Sequence, residues 1–374
     1  MPRDDEDVLA WMVLSRTPRL DVPTLTRAFR HLNSSSAAHL LRAANTALHA
    51  ELPAAARSFL RGATANERER AWARHAHHHV VPFVDDRYPR QLQGSGAPLA
   101  LYVSGDPGLL NDPQLAIVGS RNPTAAGRET AREFAASLAA CGLCITSGFA
   151  AGIDGAAHRG AIDAGGVTVA VLGSGVDVIY PPCNQRLGGE IERHGALVSE
   201  FPLGTAPRAG NFPRRNRIIA GLSLGTLVVE AALRSGSLIT ARLAGEHNRE
   251  LFAVPGSIHN PLSRGCHELI RNGAKLTETA ADILSELNFS GLCPGSASAG
   301  PGPSGPADLA PGMDKGHKIL LDALGFDPVD LDALVVRTGL QPQTVSSMML
   351  ILEFEGHVQA APGGRYSRVC RSRR

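Results

Sequence analysis

The sequence predicts an α/β protein with a mostly parallel sheet at its centre. Short β-branched apolar runs alternate with amphipathic segments between Leu115 and Leu287, and glycines mark the junctions. This alternation is typical of a parallel sheet with helices on both faces. Residues 1–80 show only helical spacing of apolar side chains, which predicts a helical N-terminal domain.

Six apolar segments are predicted as strands, with helical patterns such as 128–140 and 237–246 between them. The strands are 116–118, 144–146, 167–172, 196–198, 226–229 and 251–254. Residues 289–313 are dominated by Gly, Pro, Ser and Ala, which predicts a flexible linker. The large domain is therefore placed at 81–288 and a small third domain at 314–374.

The third domain shows the order of a winged helix: helices, a turn, a further helix from Thr344 to Glu355, and a hairpin. A DNA-reading winged helix needs basic residues on its second helix to meet phosphates and base edges. Thr338 to Gly364 contains no Lys or Arg, whereas Glu353 and Glu355 are present. This favours a protein-contact module over a duplex reader.

The overall charge of the chain is nearly balanced. Its 374 residues carry 37 basic and 35 acidic side chains, which excludes a histone-like polycation, and 43% hydrophobic content fits a soluble globular protein. The acidic start does not resemble a signal peptide, and no apolar run approaches the ~18 residues that span a bilayer. Six irregularly spaced cysteines indicate a reducing compartment. We therefore expect a cytoplasmic protein with no membrane partner.

Small polar residues follow several predicted strands and are expected to meet at one edge of the sheet. There, backbone N–H groups and hydroxyls suit an anionic ligand, and Arg121 adds a planar cationic group. The loop after the first strand is not G-x-G-x-x-G, which argues against a dinucleotide site. The candidate residues are Gly119, Ser120, Arg121, Ser147, Gly148, Gly173, Ser174, Ser235, Gly236, Ser237 and Thr240.

A basic, acid-free segment runs from Phe201 to Val229. Arginines beside an exposed aromatic ring are typical of single-stranded nucleic-acid binding, because Arg meets phosphates and the ring stacks on a base. An alternative is that Phe212 is a core anchor and that some of these arginines form internal ion pairs. The candidate residues here are Arg208, Phe212, Arg214, Arg215, Asn216 and Arg217.

Several strings, in this order, resemble the DprA/Smf family and cover nearly the whole large domain. They are Ile117-Val118-Gly119-Ser120-Arg121, the segment 147–154 with His158, Tyr180-Pro181, 199–202, 212–223, 235–241 and 252–256. Asn248-Arg249 departs from the family's usual Gly-Arg. The resemblance implies a Rossmann-like domain, a sterile-alpha-motif-like N-terminal domain and a C-terminal winged helix.

The resemblance also implies a function. Members of the family bind single-stranded DNA, protect incoming DNA and load the recombinase RecA onto it during natural transformation. We therefore expect single-stranded DNA, RecA and a second copy of the chain as partners. Arg121 and the segment from Phe212 to Arg217 fall where the family contacts DNA.

Two other functions stay open at this stage. Asp154 and His158 stand at a predicted helix start, and Glu200 and Glu230 stand at strand ends, where an enzyme could use them as acid, base or metal ligands. The strand-end Gly and Glu arrangement also resembles, more distantly, that of the nucleotide-processing lysine-decarboxylase-like group. Asp154 as a helix cap, with the glutamates holding arginines, explains them without catalysis. A duplex-binding regulator acting through the winged helix is the other alternative. We expect no catalytic residue, metal or cofactor.

Overall fold

The computed structural model divides into two units, Met1–Pro294 and Gly295–Arg374. The described residues are 5–43, 52–93, 96–290, 315–324 and 328–369. From residue 291 onward the predicted linker lies outside them.

Five helices precede the sheet of the first unit: α1 (Asp5–Ser15), α2 (Val22–Leu32), α3 (Ala37–Ala43), α4 (Ala54–Leu60) and α5 (Glu67–Ala73). Asp21 caps α2 by accepting a hydrogen bond from Thr24 N, and Asn33 ends the helix in the left-handed conformation. Trp11 packs against Phe29 and Phe83, with ring centroids 5.6 and 5.7 Å away. These helices share one hydrophobic core with Tyr102 and other residues of the sheet.

The sheet of the first unit has nine strands. They are β1 (His78–Pro82), β2 (Ala100–Gly105), β3 (Gln114–Val118), β4 (Cys144–Ser147), β5 (Thr168–Val171), β6 (Gly195–Ser199), β7 (Gly225–Val228), β8 (Glu250–Ala253) and β9 (Lys275–Leu276). Every residue of β3 and β7 is buried, because helices cover both faces.

Seven further helices flank these strands. They are α6 (Ala125–Ala140), α7 (Ile153–Asp163), α8 (Gln185–His194), α9 (Asn211–Leu222), α10 (Ser237–Glu246), α11 (Arg264–Arg271) and α12 (Ala280–Glu286). Short 3-10 helices lie at Arg90–Leu92, Pro107–Asn111, Pro182–Asn184 and Pro261–Ser263. The predicted α/β class is confirmed.

The strand order determines where a ligand can bind. It is β1-β2-β6-β5-β4-β3-β7-β8-β9, and the seven strands from β6 to β9 are parallel. The chain moves outward from β3 through β4 and β5 to β6, then returns to place β7 beside β3. Val118 pairs with Val228 at the carboxyl ends of these two strands. Such a reversal opens a crevice at the strand ends, which is the usual ligand site of this architecture.

The second unit is a winged helix, as predicted. Its elements are α13 (Lys315–Leu324), β10 (Val329–Asp330), α14 (Leu331–Thr338), α15 (Pro342–Phe354), β11 (Val358–Ala361) and β12 (Arg365–Arg368). The strands form an antiparallel sheet in the order β10-β12-β11. Asp330 caps α14, and Gly339 ends it at a φ of 68°. Leu334, Val345, Met349 and Leu352 lie in its buried core.

Candidate functional site

A cleft of about 770 Å³ opens at the carboxyl ends of β3 and β7. Its lining includes the loop after β3, the first turns of α9 and the loop that leads into α10, together with neighbouring residues such as Ala150, Asp154 and Tyr180. Of the residues predicted from the sequence, the lining includes Gly119, Ser120, Arg121, Phe212, Arg215, Asn216, Ser235, Gly236, Ser237 and Thr240. The fold thus brings together three segments that are far apart along the chain.

The loop after β3 is held by Glu230 at the end of β7. Ser120 N donates to the Glu230 carbonyl oxygen at 2.7 Å. The Glu230 carboxylate accepts hydrogen bonds from Thr124 N at 2.9 Å and from Thr124 Oγ1 at 2.6 Å. Thr124 in turn caps α6. These bonds fix the loop backbone and leave the side chain of Arg121 exposed at the cleft.

Phe212 is the central aromatic residue of the cleft. Its ring is half-buried, with the Arg121 guanidinium carbon 5.3 Å and the Tyr180 ring centroid 6.0 Å from its centroid. A Cβ atom at position 173 would lie 2.8 Å from Phe212 Cδ1, so Gly173 is what allows the ring to approach the strand end. Tyr180 is 44% exposed. The two rings therefore offer an aromatic surface beside the exposed guanidinium group of Arg121.

Arg215 lies in the floor of the cleft, where it is buried. Its Nη1 donates to the carbonyl oxygens of Gly148 and Val171, and its Nε donates to Asn216 Oδ1 at 3.1 Å. A Cβ atom at position 148 would lie 2.7 Å from Arg215 Nη2 and from Asp154 Oδ2, so glycine makes room for both groups. Burial lowers the pKa of Arg215 to about 10, which leaves the side chain charged at neutral pH.

Asp154 and His158 complete this buried floor. Burial raises the pKa of Asp154, against the opposing effect of the Arg215 charge. Burial and, to a lesser extent, Arg215 lower the pKa of His158 to about 3. His158 Nδ1 pairs with Thr168 Oγ1 at 2.7 Å, whereas its Nε2 has no hydrogen-bond partner among the described residues. His158 is therefore neutral, and Arg215, with Asp154 beside it, is the cationic group of the floor.

The loop before α10 supplies hydroxyls and a helix N-terminus. Ser235 Oγ lies 2.6 Å from Ser237 Oγ, and Asn216 Nδ2 donates to the Gly236 carbonyl oxygen at 3.4 Å. Thr240 lies one turn into α10, 2% exposed, and lines the cleft. The hydroxyl groups beside the start of α10 make this end of the cleft suitable for an anion, although the first N–H groups of the helix already donate within the turn.

The remaining predicted residues do not line the cleft. Ser147 and Ser174 are buried, and their hydroxyls donate to the carbonyl oxygens of Ile117 and Val178 at 2.6 and 2.7 Å. Gly148 and Gly173 lie just behind the lining, against Arg215 and Phe212. Arg208 is exposed and lies outside the cleft lining.

Arg214 and Arg217 contact a different region. Both guanidinium groups reach Glu200 Oε2, at 2.9 and 2.5 Å, and the Arg214 guanidinium carbon lies 5.4 Å from the Phe201 ring centroid. The period of the helix explains the split, because residues three to four apart share a face. Phe212, Arg215 and Asn216 face the cleft, while Arg214 and Arg217 lie around the helix from it.

Arg234, Tyr180 and Asn122 also line the cleft, although sequence analysis did not select them as site residues. Arg234 is exposed and, among the described residues, forms no ion pair with a carboxylate. Its position immediately before Ser235-Gly236-Ser237 could have identified Arg234 from the sequence, because a basic residue at the start of a helix adds positive charge where an anion can bind. Tyr180 is separated from Phe212 in sequence, so only the fold reveals their proximity.

The described residues contain neither a metal-ligand cluster nor a membrane-spanning helix. No group of three or more His, Cys, Asp or Glu side chains there is arranged to hold a metal ion. Within the same residues, no helix has the length and apolarity to cross a membrane.

The fold and the cleft define the class of protein, which is an α/β protein with a cleft at a strand-order reversal and a second, winged-helix unit. The model of the DNA recombination-mediator protein A family matches residues 79–288, and that of the DprA winged helix domain matches residues 304–364. Protein Smf of Escherichia coli K12 is 45% identical over 312 residues, which is 81% of each chain. The chain therefore belongs to the DprA/Smf family, DNA recombination-mediator protein A.

Two solved structures are similar in fold and sequence. DNA processing protein A from Streptococcus pneumoniae superposes with a TM-score of 0.64 at 35% identity, covering 76% of this chain and 99% of its own. DNA processing protein A from Helicobacter pylori, described for its single-stranded DNA binding mode, gives a TM-score of 0.52 at 30% identity and covers 57% and 97%.

Proposed function

We propose that the cleft binds single-stranded DNA independently of sequence and that the protein is a recombination mediator. In this role it protects incoming single strands and loads RecA onto them during natural transformation, as a homodimer in the cytoplasm. The family membership supports the mediator role, and the Helicobacter pylori relative is described as binding single-stranded DNA.

The observation that carries the proposal is the arrangement around Phe212. A half-exposed ring lies beside the exposed guanidinium of Arg121 and over the buried charge of Arg215. An unpaired base can stack on such a ring while the arginines meet the flanking phosphates. A paired base, held within a duplex stack, cannot reach a ring in a cleft of this kind without unstacking.

The nucleotide-processing alternative has less support. Both carboxylate oxygens of Glu230 are occupied by Thr124, and Glu200 is bound by Arg214 and Arg217. Asp154 lies in the buried floor beside Arg215. Each of these carboxylates thus contacts neighbouring side chains of the fold, and Glu200 Oε1, which has no hydrogen-bond partner among the described residues, is buried outside the cleft lining.

The test is a binding titration of single-stranded and duplex oligonucleotides of equal length over a series of salt concentrations. The proposal predicts tighter binding of the single strand and a logarithmic affinity that falls linearly with the logarithm of salt concentration. Equal affinity for the two forms, or an affinity independent of salt, would contradict it. Product release from nucleoside monophosphates that is lost in Glu230→Gln would favour the enzyme instead.

A further inference from the structure

Helix α15 of the winged-helix unit is apolar on two opposite faces. One face enters the core of the unit through Val345, Met349 and Leu352. At about 100° per residue, Phe354 projects about 180° away from the centre of that face, and Leu350 and Ile351 lie about 50° to either side of Phe354. Their side chains are 68%, 45% and 95% exposed. An exposed apolar patch with polar residues at its edge is typical of a protein–protein contact, so this outward face, in the C-terminal half of α15, is expected to have a partner.

The charges around this outward face are acidic. By the same helical angles, Glu353 and Glu355 flank it on opposite sides, and both are exposed. His357 Nε2 lies 3.9 Å from Glu355 Oε2. The nearby Arg337 donates to the Ala323 carbonyl oxygen. No Lys or Arg occurs between Thr338 and Gly364. An occupant of this face must therefore offer apolar side chains with basic residues beside them.

This chemistry excludes two simple occupants. A nucleic acid would bring phosphates against Glu353 and Glu355 with no cation on the helix to neutralise them. A second copy of α15, packed face to face, would bring the same glutamates together, and like charges at an interface cost affinity.

We propose that the outward face of α15 is a protein docking surface for a basic amphipathic helix of another protein. Leu350, Ile351 and Phe354 form the apolar centre of the interface, and Glu353 and Glu355 form its charged rim. This arrangement is the helix-in-groove mode of recognition, in which apolar anchors give affinity and rim charges give orientation. The inference does not depend on what the cleft of the first unit binds.

The test uses the full chain and a fluorescein-labelled peptide of leucine and lysine, about 14 residues long, whose leucines share one helical face. Its binding is followed by fluorescence anisotropy. Phe354→Gln and Leu350→Gln remove the apolar anchors without adding charge, and neither side chain is needed for the core. Leu276→Gln, which removes an exposed leucine of the first unit, is the matched control.

Loss of an anchor should weaken peptide binding by about tenfold or more, as at other hot spots. The control should bind like the wild type, and a peptide with glutamate in place of lysine should bind at least about tenfold more weakly. Equal binding by Phe354→Gln and the wild type would overturn the proposal. So would self-association in sedimentation, or duplex DNA binding, that Phe354→Gln abolishes, because either result would assign the face to a different occupant.

Discussion

The cleft beside β3 and the outward face of α15 differ in charge and in what lies beneath them. Arg121 and Arg234 are exposed at the cleft, and its floor is a buried polar cluster around Arg215. The face of α15 has apolar side chains, acidic flanks and an apolar core beneath it. The element that usually reads DNA in a winged helix therefore lacks the charge to do so, whereas the strand ends of the sheet have it. Our proposal for the surface that binds a polyanion therefore rests on the placement of charge and not on the type of fold.

Phe212→Ala should have the largest effect on single-stranded DNA binding. Loss of a stacking ring costs about 1–3 kcal/mol per base, which is a weakening of about 5- to 150-fold. Anisotropy titration with a labelled oligothymidine measures it. The circular dichroism melt should show that the variant is folded. An unchanged affinity in a folded variant would mean that Phe212 is only a packing residue, and it would contradict the claim that its ring stacks on a base.

The buried floor of the cleft predicts a pH dependence that the apolar core under α15 cannot produce. Because burial lowers the pKa of His158 from 6.5 to about 3, the unfolded chain binds a proton that the folded chain excludes. The contribution of His158 to stability is therefore complete above pH 6.5. It falls by up to about 1.4 kcal/mol per pH unit as the pH decreases toward 3.

Urea unfolding at pH 7 and pH 5, followed by tryptophan fluorescence, measures this contribution. Both tryptophans, Trp11 and Trp72, lie in the first unit, so the signal reports on that unit. His158→Gln should lose less stability than the wild type between the two pH values, because glutamine does not titrate. The same pH dependence in both proteins would show that the pKa of His158 does not differ between the folded and unfolded states.

Arg121→Ala and Arg234→Ala should each make single-stranded DNA binding less dependent on salt. Each phosphate contact that is lost lowers the slope of log affinity against log salt by about 0.7 for a single strand. Arg242→Ala is the matched control, because Arg242 is exposed on α10, pairs with Glu246 and does not line the cleft. If the slope changes as much in the control as in Arg234→Ala, any positive charge on this unit contributes equally to the salt dependence of DNA binding, and the cleft is not a specific phosphate site.

Phe354→Gln should have the smallest effect, with single-stranded DNA affinity equal to that of the wild type. The substitution removes the most exposed apolar side chain of α15 and leaves every residue of the cleft in place. The same oligothymidine titration measures it. A weakening comparable to that of Phe212→Ala would mean that α15 takes part in DNA binding, and the contrast between the two surfaces would be lost.

The alternation of apolar runs and glycine junctions was enough to predict six strands of the sheet and the helices between them, but not β1, β2 or β9, and the order of helices and hairpin predicted the winged helix. Those patterns are local, and the strand-end loops follow from them because parallel strands end at one edge. The side chains of α9 could not be assigned in the same way. The acid-free segment shows that α9 is basic, but it does not show where each arginine side chain points. In the fold, the helical period places Arg214 and Arg217 against Glu200 and away from the cleft. Glu200 is close to them only in the fold.

Photochemical crosslinking with an oligothymidine that carries 5-iododeoxyuridine is the most direct test of the two surfaces. The iodinated base forms adducts with aromatic rings that it stacks on, and mass spectrometry locates them. Phe212 and Tyr180 are the aromatic residues that line the cleft, and Phe354 is the exposed ring of α15. We predict adducts at Phe212 or Tyr180 that disappear at high salt. Adducts at Phe354, with none at the cleft, would contradict the assignment of single-stranded DNA to the sheet edge.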